Sequence, residues 1–167
     1  MALEIERKFL LADDAWKSGV VRSDHMRDGL IASFGEGKVR IRLTESNAWV
    51  TIKGARTGIS RLEFEYEIPR ADAEQMLVAL CQGFVLEKVR HTVPFGGLDW
   101  TIDVYMGPLA GVAFAEVELM HPDQHLELPP WVGQEVTNDP RFRKITLLRQ
   151  FVHGAAQGVT HRRSDRK

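Results

Sequence analysis

The stretch EIERKFLL, residues 4–11, places Glu4, Glu6 and Lys8 on alternate positions, with Ile5, Arg7 and Phe9 between them. A period of two is the signature of a strand, whose successive side chains leave opposite faces. The three charges therefore share one face. Like carboxylates two residues apart stand about 7 Å from each other. At an effective dielectric near 20 that costs on the order of 2 kcal/mol unless a counter-charge intervenes. A solvated strand face and a face built for a cation both accommodate one such motif, so the decision falls to the rest of the chain.

The arrangement returns on strand after strand. VRIRL puts Arg40 and Arg42 on one face and Val39, Ile41 and Leu43 on the other. TIKG adds Lys53, with Val50 and Ile52 opposite. RLEFEYEIP sets Glu63, Glu65 and Glu67 against Leu62, Phe64, Tyr66 and Ile68. EKVRH contributes Lys88 and Arg90, TIDVY contributes Asp103, and AEVEL contributes Glu116 and Glu118 against Val117 and Leu119. An ordinary half-buried antiparallel sheet also alternates apolar and polar residues. Its solvated face, however, mixes Lys with Glu to avoid like-charged neighbours. Here the strands read Glu-x-Glu, Arg-x-Arg, Glu-x-Glu, Lys-x-Arg and Glu-x-Glu, and these repeated like-signed pairs point to something bound between them.

Bounded by Gly, Pro and polar residues, these segments amount to roughly eight short strands, the number at which a closed barrel encloses a ligand-sized interior. DHMRDGLIASFGEGKVRIRLT reads as a hairpin turning at GEG, and DDAWKSG as a short helix or turn closed by Gly19. Two helices are expected. RADAEQMLVALCQG carries Ala73, Met76, Leu77 and Leu80 at helical spacing, with Gly83 to end it. NDPRFRKITLLRQFVHG carries Ile145, Leu148 and Phe151 or Val152, ending near Gly154. The expected architecture is α+β: a single domain over residues 1–153, built as a closed eight-stranded antiparallel β-barrel. Its charged faces point inward, and its apolar faces point outward beneath the two helices and their loops. GVTHRRSDRK reads as a polar tail, disordered over 154–167.

Composition excludes several alternatives. With 22 basic and 23 acidic residues among 167, the net charge of −1 creates no global field to draw in nucleic acid or a membrane. Cys81, the sole cysteine, allows no internal disulfide and reads as a small buried hydrophobe. The N-terminal MALEIERKF lacks a basic region leading into an apolar one, and no apolar run approaches the ~18 residues of a membrane span, so a cytoplasmic location is expected. HPDQH is interrupted by Pro122 and lacks the Glu of a zinc-protease helix, GEGK is too short for a phosphate-binding P-loop, and no serine-hydrolase elbow is present. Charged pairs of both signs facing one interior suit a specific ligand class. Carboxylates collect a hard divalent cation, and Arg and Lys collect a polyanion. A polyphosphate with its divalent metal needs both at once.

The ordered set Glu4-x-Glu6-x-Lys8, VRIR, TIK, RLEFE, EKVR, IDVY, AEVEL and GQEVTNDPRF resembles the CYTH domain proteins, or triphosphate tunnel metalloenzymes, from residue 3 to about 150. The resemblance implies an eight-stranded tunnel that hydrolyses or cyclises triphosphate compounds with Mg²⁺ or Mn²⁺. By its motifs, Glu4, Glu6, Glu63, Glu65, Glu116 and Glu118 would be metal-side positions. Asp103 would be an acidic position of a neighbouring strand, and Lys8, Arg40, Arg42, Lys53, Lys88 and Arg90 would be phosphate-side positions. Catalysis would rest on Glu4, Glu6, Lys8, Glu63 and Glu65. Glu67 continues the alternation without a matching motif position. Two departures stand out: Leu30 occupies a position where many members carry Tyr, and Gln134 one where they carry Lys. The short EIERKFL opening resembles inorganic triphosphatases more than class IV adenylate cyclases or thiamine triphosphatases. A non-catalytic polyphosphate- or nucleotide-binding module is the remaining alternative. The implied partner is a small-molecule triphosphate, and a homodimer is compatible with the pattern.

Overall fold

The computed structural model describes residues 2–81, 83, 85–144 and 146–150. Ile145, the expected helix end from Phe151 to Gly154 and the basic tail all lie outside the described residues. The alternating segments form β1 (Leu3–Leu11), β2 (Arg22–Phe34), β3 (Gly37–Leu43), β4 (Ala48–Thr57), β5 (Ser60–Ile68), β6 (Leu86–Phe95), β7 (Leu98–Tyr105), β8 (Ala113–Glu118) and β9 (Val132–Glu135). The first eight close antiparallel in the order β1-β5-β4-β3-β2-β6-β7-β8, because β1 pairs with β5 on one side and β8 on the other. The barrel expected from the sequence is therefore present. β9 is an addition: VGQE is too short to show a period, yet it pairs with β1 at Phe9 and Leu11.

Local chemistry sets the connections. The β2–β3 hairpin places Phe34 opposite Gly37, leaving Gly35 and Glu36 to turn. Gly35 adopts φ 54°, a left-handed conformation that tight hairpins require and side chains disfavour. DDAWKSG forms a short 3₁₀ turn, Ala15–Gly19, that buries Trp16.

The outward faces are covered in two places. Trp16 and Trp131 seal a cluster of Phe9, Val93, Trp100, Ile102, Ala115 and Val117 on the wall formed by β1, β6, β7 and β8. On the opposite wall, α1 (Arg70–Ala79) lays Ala73 and Leu77 onto Ile41, Leu43 and Ala48. Burying a side chain of this size contributes roughly 1.5–3 kcal/mol. Elsewhere the arrangement departs from expectation. In the second helical segment, at 144 and 146–150, the described Leu147 and Leu148 join Phe142 in packing on Leu86, Tyr105, Leu109, Phe114 and Val136, an apolar cap at one end of the barrel. The outer face of β5 also stays open, with Leu62, Phe64 and Tyr66 all exposed. A ten-residue helix is only about 15 Å long, too short to span a whole barrel wall.

Gly29 shows how closely α1 is seated. A Cβ there would lie 2.2 Å from Cys81 Sγ and 2.5 Å from Leu77 Cδ2. Cys81 packs beside the α1 cluster but is only partly buried, where the sequence reading expected a buried residue. Gly29→Ala should therefore lower stability by about 1–3 kcal/mol through overpacking, read as an earlier urea midpoint at unchanged slope. Among the described residues, no helix is long and apolar enough to cross a membrane.

Candidate active site

Strand alternation delivers the charged residues to the barrel interior. Across the walls, register sets them against opposite charge: Glu4 faces Arg61, Lys53 faces Glu63, Lys8 faces Glu116, Arg90 faces Asp103 and Asp28 faces Arg42. The like-charged rows along each strand are thus largely offset by their neighbours. Among the described residues, three register pairs of the interior break the rule. Glu6 lies opposite Glu118, Lys38 opposite Lys53, and Arg56 opposite Arg61. Arg56 and Arg61 are both ion-paired to Glu4 and Glu6, whereas Glu6 with Glu118 groups carboxylates and Lys38 with Lys53 groups ammonium ions.

Glu4, Glu6 and Glu118 each present a carboxylate oxygen within 4.8 Å of the others. Their electrostatics differ. Burial would raise the Glu4 carboxyl, but Lys53 at 2.8 Å and a hydrogen bond from Arg61 hold it well below the usual carboxylate range. Glu6 is pushed up to about 7, first by burial and then by the charges of Glu116 and Glu4. Glu63, 2.6 Å from Lys53, is also raised, by burial and by a hydrogen bond shared with Glu4. Glu65 lies farther along β5 and accepts the Thr51 hydroxyl at 2.9 Å. Glu67 accepts from Asn47 near the strand end.

A second, deeper layer is built differently. Asp103, fully buried, forks Arg90 at 2.7 and 2.8 Å and accepts from Lys88. Burial would raise its carboxyl, but Lys88 and Arg90 hold it well below the ordinary value. Arg90 also reaches Glu116 at 3.2 Å. Asp28 likewise forks Arg42, at 2.9 and 3.1 Å. Asp103 thus lies among cations, apart from the Glu4–Glu6–Glu118 group. Glu116 is held down to about 2: burial and Asp103 raise it, and Lys144, Lys8 and Arg90 more than reverse them. Lys8 donates to the Phe142 carbonyl at 3.1 Å, with its ammonium 3.7 Å from the Phe114 ring centre. One step beyond this layer on their own strands stand the cap residues Leu86, Tyr105 and Phe114.

Among the described residues, Lys38, Arg61, Asp28, Arg56 and Lys144 also serve the interior and escaped the sequence reading. Lys38 and Arg61 merely extend the Arg40–Arg42 and Glu63–Glu65 alternations by one step, so the signal was present. Lys38 is pushed down to about 7 by burial and by the cations Lys144, Arg61, Arg40 and Lys53. Asp28 has no charged neighbour at spacing two along β2. Arg56, 3.2 Å from Glu6, is turned inward by a register shift between Lys53 and Arg56 that breaks the alternation. Lys144 comes from the capping segment, with its ammonium 5.5 Å from the Tyr105 ring centre. No local pattern connects it to a barrel. Trp49 shares the face of Lys53, opposite Arg42 and Glu67. Leu30 sits opposite Arg40, whereas Gln134 is exposed on β9.

Comparison with known proteins agrees with this geometry. The CYTH domain family model matches residues 2–151. An inorganic triphosphatase from Acetivibrio thermocellus is 40% identical over 149 residues, covering 89% of this chain and 95% of that protein. A second, from Nitrosomonas europaea, is 34% identical over 149 residues, covering 86% and 95%. The crystal structure of an inorganic triphosphatase superposes with a TM-score of 0.62 at 30% identity, over 87% of this chain and 97% of that one. A Pyrococcus furiosus protein at 19% identity, TM-score 0.57 over 71% and 79%, shares the fold. A barrel lined by paired charges, a family match along most of the sequence and relatives of this identity lead to one assignment: the chain belongs to the CYTH domain family.

Proposed function

We propose that this protein hydrolyses inorganic triphosphate to diphosphate and phosphate inside the barrel, with a divalent metal, Mg²⁺ or Mn²⁺, as cofactor. The observation that carries the reading is that the interior sets Glu6 opposite Glu118 and Lys38 opposite Lys53. One concentrates negative charge where a cation is wanted, the other positive charge where a polyanion is wanted. The donor set fits the metal, since Glu4, Glu6 and Glu118 offer only carboxylate oxygens, the ligands hard cations take. Bound there, the metal would draw charge from the phosphate oxygens. The anion side fits too: Arg40 is largely buried and its Nε has no hydrogen-bond partner, a donor waiting for an acceptor.

The residues then divide the work. Arg40, Lys53, Lys38, Lys8 and Lys144 hold the phosphate chain and stabilise charge as it shifts to the leaving diphosphate. Water attacks the terminal phosphorus, the new P–O bond forms as the bridging P–O bond breaks, and no covalent enzyme intermediate is needed. Glu63 orients the water and takes its proton, which its raised carboxyl can accept. Asp103, through Lys88 and Arg90, keeps the cation wall in place.

Phosphate release from inorganic triphosphate, ATP and thiamine triphosphate, each with Mg²⁺, Mn²⁺ or EDTA, tests the reading. Metal-dependent release that is fastest from inorganic triphosphate is expected; binding of all three without release would make the barrel a polyphosphate-binding module. Lys144→Met should lower kcat/KM for triphosphate by about 10–100-fold, the loss of one or more charge-assisted contacts to phosphate. Unchanged kcat/KM would reduce Lys144 to a packing residue of the cap.

A further inference from the structure

Arg40 and Arg42 sit two residues apart on one inward face, yet the structure treats them differently. Arg42 is committed: the buried Asp28 carboxylate holds its Nε at 2.9 Å and its Nη2 at 3.1 Å. Arg40 approaches the same carboxylate only to 3.6 Å, and its Nε is left without a partner. On the other side of Asp28, Lys88 Nζ lies at 3.8 Å and is also bonded to Asp103. Asp28 and Asp103 therefore bracket Lys88, and each occupies one arginine fork.

We propose that Asp28 is a specificity-determining residue: it closes the anion path on the Arg42 side of Arg40 and thereby selects the length of polyphosphate that the barrel accepts. The inference rests on the triphosphatase reading and deepens it. A phosphate group that advanced past Arg40 toward Arg42 and Lys88 would meet a fixed carboxylate already holding both cations. Like charges at such separations repel strongly in a buried site. The two cations beside Asp28 are thus already committed, Arg42 to Asp28 and Lys88 to Asp28 and Asp103. Chain length is then limited in this direction, and a fourth phosphate extending past Arg40 toward Arg42 adds charge without adding a free cation.

The test is competition by diphosphate, triphosphate and tetraphosphate, read as inhibition of turnover and as binding by calorimetry in EDTA. In the unaltered protein, affinity should rise from diphosphate to triphosphate and stop rising at tetraphosphate. A continued rise with charge would overturn the proposal. Asp28→Asn keeps the shape and an acceptor for Arg42 but removes the negative charge. It should shift the tetraphosphate-to-triphosphate affinity ratio upward about tenfold or more, and a folded variant with an unchanged ratio would overturn the proposal. Should Asp28→Asn fail to fold, Asp28→Glu decides. It keeps the charge and carries it one methylene farther into the path, so triphosphate binding should weaken about tenfold with diphosphate within about twofold. Equal weakening of both would sink the idea. An unaltered protein that binds triphosphate but does not cleave it would overturn the activity and leave the length limit measurable. One that binds no polyphosphate would overturn both.

Discussion

Glu6→Gln is expected to lower metal-dependent phosphate release by about 10²–10³-fold, the scale seen when one preorganised electrostatic group of an active site is removed. The same change is expected to stabilise the metal-free protein. Glu6 faces Glu118 and is pushed up to about 7, first by burial and then by the charges of Glu116 and Glu4. A carboxyl raised in the folded state disfavours folding once ionised. The penalty is absent below the unfolded pKa near 4.5, grows as pH rises, and is complete above about 7. Gln carries no such penalty. The variant should therefore gain about 1–3 kcal/mol over the original at pH 8 and little at pH 4.5. Thermal melts at both pH values in EDTA read this directly. Adding Mg²⁺ or Mn²⁺ should raise the melting temperature of the original far more than that of the variant. A variant that loses activity and stability together would mean that Glu6 is a structural charge rather than a ligand position.

Asp103→Asn should do the reverse: lower stability sharply at every pH where carboxylates are ionised. Asp103 is the fully buried counter-ion of Lys88 and Arg90, and removing one partner of such a network strands the others. The cost is about 3–5 kcal/mol, a large share of a domain's total stability. Because the folded carboxyl is held well below its ordinary value, its contribution is present above the unfolded pKa near 3.8 and is lost as pH falls beneath it. Urea midpoints at pH 7 should differ widely between the two proteins, and the gap should narrow progressively as pH falls below about 3.8. A variant as stable as the original would show that Arg90, still near Glu116, needs no second anion.

How much of this was legible in advance depended on whether a signal was local. Glu4, Glu6, Lys8, Arg40, Arg42, Glu63, Glu65 and Glu118 all announce their face through spacing two. So do Lys38 and Arg61, which were overlooked at the ends of their own patterns. Arg56 was illegible because the register shift after Lys53 turns it inward out of phase. Lys144 was illegible because a helical residue reaches the barrel interior only through the packing of the cap. β9 was illegible because four residues carry no period, and its place beside Leu11 is set by pairing partners far away in sequence.

Alternation along the chain is enough to give the strands, the inward charged faces and the barrel that closes on them, because side-chain direction in a strand is a local property with a period of two. Which charges meet is a matter of the closed barrel. Along the chain Arg40 and Arg42 look equivalent, as do Asp103 and Glu118. Register across neighbouring strands gives Arg42 to Asp28 and leaves Arg40 with an open donor. It also places Asp103 between cations and Glu118 beside two other carboxylates. Electrostatic energy falls off with distance rather than with sequence separation. The division between carboxylates held as counter-ions and carboxylates grouped with one another therefore emerges only once the barrel is closed.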